Sequence, residues 1–67
     1  MKKENKIPLS EVHRQLNDRA GREVSASDFE DLLWCWRRYA HKTRAGKEGW
    51  LSRKNASKFL DYAYYSG

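Results

Sequence analysis

Apolar residues recur along this chain at spacings of three and four in three separate stretches, and nowhere do they alternate strictly with polar ones. That is the period of helices packed by one face. In the first stretch Leu9, Val12, Leu16 and Ala20 follow Pro8, which suits a first turn, and precede Gly21, which suits the residue after a last turn. In the second, Phe29, Leu32, Leu33, Trp36, Tyr39 and Ala40 share one face, with Cys35 at its edge. In the third, Ala56, Phe59, Leu60 and Ala63 keep the same spacing. The pattern predicts an all-α fold, a small single domain of about three helices over residues 8–20, 25–42 and 53–65. The central helix, about 27 Å long at about 1.5 Å per residue, is long enough to cross such a domain.

The boundaries carry their own signals. With Ser25 as N-cap of the central helix, Asp28 stands at N3, and Val24 can close over Phe29 as a hydrophobic staple. Ser27 with Glu30 offers a second capping box two residues later. Asp28, Glu30 and Asp31 open this helix while Arg37, Arg38, His41 and Lys42 close it, the order that complements the helix dipole. Residues 43–49 hold two glycines and three charges, which ends the helix and predicts a loop, with a small wing-like turn over 43–52. Trp50 and Leu51 then read as a plug returning the chain to the core, and Ser52 as the cap of the third helix. Residues 1–6 have nothing to bury and are expected to form a flexible N-terminus ahead of one domain spanning 7–67. His13, beside the first apolar stripe, reads as a half-buried packing residue.

Composition narrows the class. Sixty-seven residues make a domain of marginal stability, because chains this short bury only about 60% of the surface exposed on unfolding. Three Trp, four Tyr and two Phe supply much of the burial available, and a homodimer would add to it. A single cysteine, Cys35, makes no internal disulfide, which points to a reducing, cytoplasmic setting. The longest apolar run, Leu32 to Trp36, is far short of a membrane span, and residues 1–6 lead into no hydrophobic leader.

Charge changes the picture more. Residues 1–36 hold six basic and seven acidic side chains, whereas residues 37–58 hold eight basic ones and only Glu48, a net +7. Such a segment calls for an anionic partner, nucleic acid first and an acidic protein surface second. Enzymatic chemistry finds no foothold. Cys35 and His41 are six residues apart and fall about 120° apart around the helix, on different faces. One Cys and two His without paired spacing make no zinc site, and no phosphate loop or paired-carboxylate motif is present. No metal or other cofactor is expected, and Cys35 reads as a small apolar residue at the core's edge.

The surviving constellation is basic with interleaved aromatics. Arg37, Arg38 and Lys42 end the central helix, Arg44 and Lys47 lie in the loop, and Arg53, Lys54 and Lys58 open the third helix. Cations at a helix N-terminus oppose the dipole, which suggests that an anion belongs there. Two helices with basic and amide side chains opening the second resemble a helix-turn-helix, although the loop is longer than that motif's turn. In a winged variant, Arg53 and Asn55 are the candidates to read base edges. Trp34 falls about 140° from Phe29 on the helix, among Glu30, Arg38 and His41, either as an exposed anchor or as a residue covered by a neighbouring helix. Of Tyr62, Tyr64 and Tyr65, at least one must be exposed, free to stack on bases, pack on a protein or form a dimer seam.

The leading expectation is therefore a cytoplasmic, non-enzymatic regulatory protein, of transcription-regulator type, binding DNA in preference to RNA through residues 37–58. The alternative is an interaction module or inhibitor that occupies a protein through Trp34 and the neighbouring arginines. In size, charge and aromatic content the chain is similar in type to the small accessory proteins of phages and mobile elements.

Overall fold

A computed structural model describes residues 6–66. Three helices, α1 (Leu9–Ala20), α2 (Ala26–Ala40) and α3 (Arg53–Ser66), are accompanied by two short strands, β1 (Lys6–Pro8) and β2 (Trp50–Ser52). The fold is thus the small, mostly α domain that the apolar spacing predicts. Of the N-terminal segment expected to be flexible, residues 1–5 lie outside the described residues and Lys6 belongs to β1.

Local chemistry sets the helix ends. Ser25 caps α2, its Oγ accepting the Asp28 N–H at 3.1 Å, and Ser52 Oγ accepts the Asn55 N–H of α3 at 3.2 Å. Each bond satisfies one of the donors that a first helical turn leaves without a partner. Pro8 precedes α1 without a side-chain cap, and the Leu9 N–H is instead met by the Gly49 carbonyl at 3.0 Å. α1 ends at Gly21, in the left-handed region at φ 70°, whose N–H returns to Asn17 O. The Asn17 side chain then accepts the Val24 N–H at 2.7 Å and fixes the turn into α2.

α2 stops two residues before the expected boundary at Lys42. His41 adopts φ 58°, and the Lys42 N–H reaches back to Arg37 O at 2.8 Å while the His41 N–H reaches Arg38 O at 3.3 Å. This paired closure is the Schellman arrangement, usually built on glycine. Residues 42–49 continue as successive turns, with Ala45, Lys47 and Gly49 N–H groups bonded to the carbonyls of Lys42, Arg44 and Gly46. They lead into β2, which pairs antiparallel with β1 in the register Lys6 with Ser52, Ile7 with Leu51 and Pro8 with Trp50. The wing-like turn expected at 43–52 therefore takes its strand partner from ahead of α1.

One core lies between the helices. Val12 and Leu16 of α1, Val24, Phe29, Leu33 and Trp36 around α2, Leu51 of β2, and Ala56, Phe59, Leu60 and Ala63 of α3 are all buried. Phe59, fully buried, meets Phe29 edge-on at 5.6 Å and Trp36 at 5.9 Å. His13 stacks on Phe29 at 4.6 Å, and its Nε2 bonds to Val24 O at 2.6 Å, the half-buried packing role expected of it. Leu51 is buried as the expected plug, while Trp50 is only partly covered and carries Lys6 Nζ at 4.8 Å from its ring.

Tyr39, expected on the apolar face of the central helix, and Cys35, expected at its edge, lie elsewhere. Tyr39 is 71% exposed. It stands one residue before the helix ends, at the margin of the core, and its ring leans on Tyr62 at 5.1 Å. Cys35 is exposed rather than tucked against the core. It shares a stripe with Asp31 and Arg38, both exposed, outside the sector that α1 and α3 cover.

Candidate functional site

Trp34 is 54% exposed, and Arg38 Cζ lies 4.9 Å from its ring centroid, one helical turn on. The indole therefore stands on the outer face of α2 with a cation laid over it, a contact of about 0.5–1 kcal/mol at an exposed site. Neither α1, α3 nor the tyrosine-rich end of α3 buries it.

Five of the eight predicted cations line separate grooves. Arg37 and Lys47, with Trp34 and Glu30, line a groove of about 480 Å³ whose floor is Phe29 and Leu33. Arg37 is half-buried there, and its Nε donates to Ala45 O, so the guanidinium holds the loop against α2 as well as presenting charge. The adjacent Gly46 is buried at φ 82°, where a Cβ would stand 3.1 Å from Arg37 Nη2. Only glycine meets both the backbone angle and the close approach without displacement. Lys42 and Lys58 instead line a cleft of about 530 Å³ between α2 and α3, among Tyr39, Tyr62 and Tyr65. Arg53 lines a third groove with Gln15, Asp18 and Arg19 of α1.

The spacing on α3 explains this separation. Arg53, Ala56, Ser57 and Leu60 form one stripe, and Lys58, Asp61, Tyr62 and Tyr65 another. Five residues of α-helix rotate the second by about 140° from the first. Asn55 is half-buried beside the Ser52 cap, whereas Arg44 and Lys54 are exposed. The structure thus brings Trp34, Arg37 and Lys47 together, with Arg38 over the indole, brings Lys42 and Lys58 together elsewhere, and turns Arg53 toward α1.

Electrostatically, the basic segment is left open. The ion pairs among the described residues are Arg14 with Glu11, Arg14 with Asp18, and Arg19 with Asp61. None uses any of the eight cations of residues 37–58. On α1, hydrogen bonds from Arg14 and then Gln15 hold the Glu11 carboxyl below its usual range, and the same Arg14–Glu11 bond raises the Arg14 guanidinium further. Among the described residues no group of three or more His, Cys, Asp and Glu side chains is placed to hold a metal ion. No helix among them is long and apolar enough to cross a membrane.

Tyr39 is what a reading by apolar spacing misses, whereas the exposure expected of at least one α3 tyrosine is met by Tyr64 and Tyr65. Tyr39 counts as core on a helical projection, yet it lines the α2–α3 cleft together with Tyr62 and Tyr65, and Tyr65 is 82% exposed. The available signal was chemical: a phenol in the last turn of a helix, next to Arg38 and three residues before Lys42. Compared with protein-family models, curated proteins and solved structures, the chain matches none.

Proposed function

We propose that this chain is a small non-enzymatic protein that binds nucleic acid, DNA in preference to RNA, through the basic segment 37–58. The observation that carries the reading is that its eight cations, set against Glu48 alone, enter no ion pair among the described residues. A merely solubilising charged face is commonly laced with opposite charges. Cations left without carboxylate partners can displace the counterions of a phosphate backbone.

The reading is tested by the salt dependence of binding to a duplex. Affinity should fall steeply as salt rises, and Arg44→Ala and Lys54→Ala, both exposed, should each reduce the log–log slope by about 0.9 where they remove one phosphate contact. Absence of affinity at low salt, or a slope that neither substitution changes, overturns it.

A second reading is favoured by one specific observation, the exposed Trp34 with Arg38 over its ring. Trp and Arg are the residues most enriched in protein-binding hot spots. On this reading the chain is an interaction module whose partner is lost on Trp34→Ala while nucleic-acid affinity is unchanged.

A further inference from the structure

The cleft between α2 and α3 has a composition that neither the core nor solubility explains. Its floor is the buried Trp36, and its walls carry Tyr39, Tyr62 and Tyr65 with Lys42 and Lys58. Tyr39 and Tyr65 are 71% and 82% exposed, so most of each aromatic surface faces solvent. The carboxylate in the lining, Asp61, is engaged by Arg19 at 2.8 Å, whereas the two lysines have no such partner among the described residues. The unbalanced charge of the cleft is positive. The cleft is open to solvent and has a volume of about 530 Å³.

We infer that this cleft binds single-stranded nucleic acid, with bases stacked on Tyr39 and Tyr65 and phosphates paired with Lys42 and Lys58. The inference rests on the nucleic-acid reading of the basic segment and adds a form of the ligand to it. Flat aromatic faces beside unpaired cations match a ligand that alternates flat faces with anions. A duplex keeps its base faces stacked inside the helix and can offer these tyrosines only its backbone. An apolar protein helix would leave both lysines to be desolvated without partners, and a second copy of the cleft would oppose like charges.

The experiment is fluorescence anisotropy of a labelled thymidine oligonucleotide and of a duplex of equal length at low salt. Wild type, Tyr39→Ala, Tyr65→Ala and Lys58→Gln are compared, with circular dichroism checking that each variant is folded. The wild type should bind the single strand more tightly than the duplex. Each tyrosine substitution should weaken single-strand binding by about 5- to 150-fold and leave duplex binding unchanged. Lys58→Gln should lower the single-strand salt slope by about 0.7.

Tyrosine variants that bind the single strand as the wild type does overturn the cleft, as does a duplex bound equally well. If duplex binding persists in either case, the basic-segment reading stands without it. Binding to neither form removes both. Dissociation of a dimer by Tyr39→Ala or Tyr65→Ala in sedimentation would assign the cleft to self-association and overturn the inference.

Discussion

At the scale of single residues, two tryptophans two positions apart on one helix have opposite environments. Trp36 is 1% exposed and packs on Phe59, whereas Trp34 is 54% exposed under Arg38. Trp36→Ala removes a buried aromatic and leaves a cavity, and should cost about 3–5 kcal/mol of stability. Trp34→Ala removes little buried area, so the melting temperature should hardly move. Thermal melts of the two variants check this pair directly: equal losses would mean that Trp34 is packed. A folded Trp34→Ala protein is then the reagent that separates the protein-binding reading from the nucleic-acid one, since it deletes the indole and leaves every cation in place.

At the scale of elements, the central helix is bounded by two caps of different quality. Ser25 supplies a preferred N-cap side chain, and Ser25→Ala should cost about 1 kcal/mol. His41 occupies the left-handed position at φ 58°, which a residue with a Cβ enters at a cost. His41→Gly should therefore raise stability by about 0.5–1 kcal/mol, the relief of that cost less the greater freedom glycine has when unfolded. Denaturant midpoints measured at constant slope will show both signs. A stabilised His41→Gly protein with weakened nucleic-acid binding would mean that the imidazole contributes to the site as well as to the cap.

At the scale of the whole molecule, one core serves every element. Phe59 joins Phe29 and Trp36, Leu51 brings β2 into the same cluster, and the described residues contain no buried side-chain polar atom without a hydrogen-bond partner. A domain of this size with a single shared core should unfold as one unit. The loss of helix by far-ultraviolet circular dichroism and the exposure of Trp36 by near-ultraviolet circular dichroism should coincide on heating. Separate transitions would show that α1 or the β1–β2 ribbon opens independently. Phe59→Ala, at about 3–5 kcal/mol, should remove most of the stability such a domain has.

The helices, their order, the Ser25 and Ser52 caps and the loop after the central helix were all legible in the sequence by itself. Each is decided within about four residues by hydrogen bonds and side-chain spacing. The exposure of Trp34 was narrowed to two readings but not decided, because a position on a helix says which way a side chain points and not what covers it. Tertiary structure alone settled that α1 and α3 cover the sector of Phe29, Leu33 and Trp36, leaving Cys35 and Tyr39 outside it. It alone paired β1, ahead of α1, with β2, after α2, and engaged Arg37 with the Ala45 carbonyl. A run of like charges in the sequence does not say how its members are arranged in space, because neighbours in a chain need not share a face. Helical rotation places Arg53 and Lys58 on different stripes of α3, so these two cations of the basic segment line different grooves.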